Sequence, residues 1–184
     1  NFVGKSLTLN EHIDCLGHLR EVGSFVLLNK SKIKDLGALK KIGGDFWLNK
    51  YDILSSLGDL TSIGEDFSIK DNLSLKSLGN LEYIGGRAYF SNCNLQDLGK
   101  LKFVGEGLFL KNTEVEDLGM LEKVCHHAYI SGEIKSLGNL KVVDGHLKIE
   151  EAYELKSLGK LEEVVGDLDI SRSAIEDLGN LKNV

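Results

Sequence analysis

Residues 136–149 read SLGNLKVVDGHLKI, and residues 157–170 read SLGKLEEVVGDLDI. The second stretch restates the first at a distance of 21 residues. Working outward, the dipeptide Leu-Gly recurs at Leu16, Leu36, Leu57, Leu78, Leu98, Leu118, Leu137, Leu158 and Leu178, in steps of 19–21 residues. Such self-similarity is the signature of a repeat architecture, in which each repeat is one structural unit. Nine copies fill the 184-residue chain.

With the Leu of each Leu-Gly as origin, Leu stands three residues later in every copy, from Leu19 to Leu181, and Val or Ile six later, from Val22 to Val184. Two more apolar residues stand ten and twelve later, as in Phe46/Leu48, Leu108/Leu110 and Leu168/Ile170. Ile, Leu or Val stands three before, from Ile13 to Ile175. Length changes only between the second residue of the L-x-L pair and the next Ile, which places insertions in a loop on one edge. The L-x-L pair has the period of a strand, one residue in and one out. Nine parallel strands are expected, centred on Leu7–Leu9, Val26–Leu28, Phe46–Leu48, Phe67–Ile69, Ala88–Phe90, Leu108–Leu110, Ala128–Ile130, Leu147–Ile149 and Leu168–Ile170.

The L-G-x-L-x-x-V segment has spacing three, as in a tight turn or a 3₁₀ segment. Asp or Ser precedes Leu-Gly in every copy except that of Cys15, and these residue types suit the N-cap of a short helical turn. A helical hairpin per repeat needs more than about 30 residues and does not fit. One repeat cannot bury its own apolar face, whereas stacked repeats share a continuous core. The expected fold is a single β-solenoid domain over residues 1–184, about nine coils of 19–21 residues. At roughly 4.8 Å per coil it would be about 45 Å long.

These residues resemble the leucine-rich repeat family. The run Leu108-Phe109-Leu110-Lys111-Asn112-Thr113-Glu114-Val115 is similar to that family's strand signature, and the L-G-x-L-x-x-V-G-G-x-L-x-L cadence looks like the receptor L-domain-like variant. The resemblance implies a right-handed parallel β-helix that binds partners or acts as a scaffold, without catalysis.

Composition excludes other classes. A net charge of −6 argues against broad affinity for nucleic acid or anionic membrane. No apolar run approaches the ~18 residues of a membrane span. No targeting segment is readable. Cys15, Cys93 and Cys125 form no CxxC pair and fall at different phases of the repeat, so they read as free thiols. That fits a reducing, intracellular compartment, with a cell-surface or secreted placement left open. The sequons at Asn29-Lys30-Ser31 and Asn72-Leu73-Ser74 are common enough by chance to decide nothing.

The outward residue of each strand forms a column: Thr8, Leu27, Trp47, Ser68, Tyr89, Phe109, Tyr129, Lys148, Asp169. Its aromatic run is the expected partner-binding face, with Trp47, Tyr89, Phe109 and Tyr129 flanked by Asp45, Arg87, His127 and Lys148. Aromatic residues also favour strands for packing alone. The column two residues earlier stacks His127 on His146, near Cys125, His126 and Asp167, without a zinc-like spacing. No metal or cofactor is expected. Asp45 and Asp66 could form a carboxylate pair, as in polysaccharide-acting β-helix enzymes. Only three Thr occur, so there is no Thr ladder for ice.

The expectation is therefore a non-enzymatic binding or scaffold module for a protein partner, or else a glycan. The alternatives are a structural spacer or virion-type assembly component, and a polysaccharide-acting enzyme. The chain opens at Asn1-Phe2-Val3-Gly4 and closes at Leu181-Lys182-Asn183-Val184 at the same phase, with no polar cap. Solenoid ends need protection, so both ends are expected to be covered by further chain or another subunit.

Overall fold

The computed structural model describes residues 2–28 and 30–184. Asn1, named above at the chain's opening, and Asn29 of the first sequon lie outside them. The described chain is a β-solenoid of stacked parallel strands. All nine expected strands are present at the expected residues, and the later ones run on, as in Leu147–Ala152 and Leu168–Ser173. They form one wide nine-stranded sheet in which each strand pairs only with its counterparts in the adjacent coils.

A second sheet of nine strands, each two residues long, was not expected from the sequence. It runs from Phe2–Val3 through Tyr83–Ile84 and Phe103–Val104 to Glu163–Val164. From Val22 to Val164 the Val or Ile six residues after the origin points inward here, and its predecessor points out. The two sheets face each other across columns of buried apolar side chains. Leu36, Leu57, Leu78, Leu98 and Leu118 form one column, and Leu39, Leu60, Leu81, Leu101 and Leu121 another. Phe46, Phe67 and Phe90 fill the space behind the wide sheet, with ring centroids 5.2 and 5.4 Å apart.

Of the two expected alternatives, the Leu-Gly segment is the tight turn, a β-turn and not a 3₁₀ segment. In the second coil Leu39 N–H bonds Leu36 O at 3.2 Å, and the same bond recurs along the stack. Gly37 has φ +58° while the residue after it does not have positive φ, which identifies a type II′ turn with Gly at its first central position. The preceding Asp or Ser holds that turn. Its side-chain oxygen accepts the Gly N–H two residues on, at 3.0 Å for Ser56 and Gly58 and 2.8 Å for Asp97 and Gly99. The Asp or Ser accepts an otherwise orphan N–H, as its type predicts, but the segment it serves is a turn and not the start of a helix.

This corner has a two-coil rhythm. Asp35 bridges Ser56, Ser77 bridges Asp97, Asp117 bridges Ser136, and Ser157 bridges Asp177. Among these bridges every partnership joins one Asp to one Ser, so no two carboxylates meet across a bridge. Lys135–Glu116 at 2.9 Å and Lys156–Glu176 at 3.5 Å join bridged coils, while Lys135 also reaches Glu154 at 3.5 Å across an unbridged pair.

Candidate functional site

The outward column of the wide sheet is in register, Tyr89 beside Phe109, Phe109 beside Tyr129, and Tyr129 beside Lys148. The Tyr89 and Phe109 rings stack at 4.6 Å and 16°, and Lys148 Nζ lies 5.6 Å from the centre of the Tyr129 ring. These residues are half-buried, and the stacked faces of Tyr89 and Phe109 cover one another. Trp47 is 36% exposed and is separated from Tyr89 by Ser68. It stacks instead on Phe25, at 6.1 Å. The expected stripe is thus two aromatic clusters with a gap of one coil.

A charged group closes the C-terminal side of the larger cluster. Tyr129 Oη donates to Glu150 Oε1, and Glu150 also pairs with Lys148 at 2.9 Å. Arg172 Nη1 lies 3.9 Å from the same carboxylate. On the other side, Arg87 Nε meets Glu106 Oε2 at 2.9 Å. The Tyr89 hydroxyl and then the Glu106 carboxylate favour the charged guanidinium, raising its pKa.

The neighbouring column serves the backbone. Asp45 Oδ1 accepts the N–H of Asp66 at 3.0 Å, and Asp66 Oδ1 accepts the N–H of Arg87 at 2.7 Å. His127 Nδ1 accepts the N–H of His146 at 3.0 Å, and His146 Nδ1 accepts the N–H of Asp167 at 2.8 Å. Each side chain thereby extends the ladder by one rung, and both members of the Asp45/Asp66 pair have this structural use. Gly107 interrupts the column. A Cβ there would sit 2.7 Å from Phe109 Cε2, so the ring leans into the space that glycine leaves. The result is a depression of about 250 Å³ lined by Arg87, Glu106, Gly107, Phe109, His126 and His127. The expected border residues Arg87 and His127 therefore meet at one feature beside Phe109, while Asp45 lies with Trp47 two coils away.

Two features escaped the sequence reading. Tyr83 and Phe103 stack face to face on the narrow sheet at 5.2 Å and 2°; their signal was a pair of aromatics at equivalent positions of adjacent repeats. The other is a polar plug inside the loop edge. Asn72 is fully buried, donates to Asn49 O at 3.0 Å and Asp52 O at 2.8 Å, and accepts from Ser74 and Leu75 N–H at 3.1 Å each. The Asn72 sequon is thus closed to modification in the folded chain. Asp52 is buried beside it and accepts the Asn49 N–H at 2.8 Å. Burial pushes its pKa up, against the lowering effect of its backbone bonds.

Larger open clefts, of about 650, 530 and 430 Å³, lie along the turn corner between coils that are not bridged there. Among the described residues no group of three or more His, Cys, Asp or Glu could hold a metal ion. Cys15 is exposed, Cys125 half-buried and Cys93 buried, and all are free. No helix among the described residues is long and apolar enough to cross a membrane. The chain matches no protein-family model, no curated protein and no solved structure.

Proposed function

We propose that this chain is a non-enzymatic recognition module that holds a protein partner against the outward face of its wide sheet. The contact centres on Tyr89, Phe109 and Tyr129, with Arg87, His127 and Lys148 at its border and Trp47 with Asp45 as a second patch. The observation that carries this reading is the in-register run of three half-exposed rings at mid-stack, beside a depression with charged walls. Aromatic anchors with a polar rim dominate binding energy in protein interfaces. A parallel sheet whose strands are locked above and below presents those rings with little conformational entropy left to lose on binding. The resemblance to leucine-rich repeats and receptor L-domain-like proteins supports the same class of function.

The test is capture of partners by the intact protein against a Tyr89→Ser/Phe109→Ser variant, with Tyr83→Ser on the narrow sheet as control. Capture should weaken by more than about 1 kcal/mol in the double variant, in the range of a modest interface anchor. It should be unchanged in the control. Equal capture by all three proteins, each folded by circular dichroism, would favour the spacer reading. Binding of a defined glycan that disappears in the double variant would replace the protein partner by a sugar.

A further inference from the structure

We propose that His127 and His146 form a proton-responsive latch on the rim of the wide sheet, closed by two neutral imidazoles and opened in mild acid. This does not rest on the binding reading, because its test reads the latch itself.

Both rings act through the same atom. Nδ1 of His127 accepts the backbone N–H of His146, and Nδ1 of His146 accepts that of Asp167. An imidazole nitrogen that accepts carries no hydrogen, so each ring's proton is on Nε2. Earlier in the same column Asp45 and Asp66 make the same rungs with carboxylates. A carboxylate remains an acceptor through mild acid. An imidazole does not, since protonation puts hydrogen on both nitrogens, and histidine is the side chain that ordinarily changes charge between pH 5 and 8.

The local backbone is shaped to these contacts. A Cβ on Gly145 would lie 2.8 Å from His127 Nδ1, and one on Gly166 would lie 2.8 Å from His146 Nδ1. Glycine before each donated N–H leaves the ring room to approach. Gly86 serves Asp66 in the same way, its absent Cβ falling 2.4 Å from Asp66 Oδ1.

The two sites differ in what a proton would meet. His146 Nδ1 lies 3.1 Å from Asp167 Oδ2, so a protonated ring can donate there and release the Asp167 N–H. Among the described residues no carboxylate lies within ion-pair distance of His127; Glu106, on the same depression, is paired with Arg87. The His146 ring lies 4.8 Å away on one side, His126 6.2 Å away on its own coil, and Arg87, paired with Glu106, across the depression on the other side. Two charged imidazoles stacked at that distance repel. The His127 ring would then leave its rung and change the depression beside Phe109. Both rings are exposed, so water takes up the freed N–H groups and the change stays local.

The experiment compares amides within the unaltered protein by hydrogen exchange at pH 7.5 and 5.5. Protection factors of the His146 and Asp167 amides should fall at least fivefold in acid. Those of Asp66 and Arg87, held by carboxylates, should change less than twofold. In parallel, ¹⁵N spectra of the imidazoles at pH 7.5 should show the Nε2–H tautomer for both rings. A His127→Asp/His146→Asp variant, copying the upper coils, should keep its protection at pH 5.5. Equal loss in both sets of amides, or an Nδ1–H tautomer on either ring at pH 7.5, would overturn the proposal. Because the two sets are compared in one molecule, the result stands even where the variant does not fold.

Discussion

Replacing Asn72 with Ala tests the polar plug inside the loop edge. The side chain is wholly buried and all four of its hydrogen-bonding positions are used. Truncation leaves the carbonyls of Asn49 and Asp52 without their donor and the N–H groups of Ser74 and Leu75 without their acceptor. A typical intramolecular hydrogen bond contributes about 1 kcal/mol, and a buried group left unpaired costs about 1–3 kcal/mol. Ser74 is only half-buried, so water can reach its N–H; Leu75 and Asp52 are enclosed. The sum is about 3–5 kcal/mol. Asn72→Asp keeps the two acceptor bonds but sets a carboxylate oxygen against the same two carbonyls, so its loss should be at least as large at neutral pH and smaller in acid. Coils of a solenoid contact only their neighbours, which keeps the damage local. Urea unfolding followed by fluorescence of Trp47, the single tryptophan and one coil away, would read it. Exchange of the Leu75 amide would read it independently. A shift equivalent to less than about 1 kcal/mol, with Leu75 still protected, would show that the buried amide is replaceable and refute the reasoning.

Three further outcomes follow from particular residues. Leu101→Ala or Leu121→Ala, at fully buried mid-stack positions, should each cost about 2–5 kcal/mol in urea unfolding through lost burial and a cavity. Gly99→Ala should destabilise more than Gly119→Ala by thermal melting. Both have positive φ, but a Cβ on Gly99 would fall 2.4 Å from Gly79 O while one on Gly119 meets open space. Asp52, with its folded pKa raised, binds its proton more tightly folded than unfolded, so its contribution to stability is present below the unfolded value of about 4 and is lost as pH rises through the folded value. Unfolding free energy against pH should therefore fall less steeply above pH ~4 in Asp52→Asn than in the unaltered protein. Parallel curves would show that Asp52 does not titrate differently on folding.

The repeat made most of the fold legible without coordinates. Six apolar columns recur at constant phase, and the only register that buries all of them stacks each L-x-L on the next. Burial therefore set the strands, their parallel order and the inward column of Leu101 and Leu121. What escaped has a common cause. The second strand, as at Tyr83–Ile84, is two residues long and too short to show a period. Asp97 before Leu-Gly has the same composition whether it caps a helix or holds a II′ turn, since both need an acceptor for a nearby N–H. The column of Asp45, Asp66, His127 and His146 could be written down from spacing alone. Its use could not, because whether Nδ1 turns outward to water or flat onto the next coil depends on the glycine beside it and on a rotamer. Likewise, spacing already sets Ser68 between Trp47 and Tyr89 and places Tyr89 beside Phe109, but that Trp47 turns onto Phe25 of the neighbouring column is a matter of ring orientation. Periodicity specifies where a Cβ lies; the contacts a side chain then makes arise from packing between coils, and only the tertiary structure decides them.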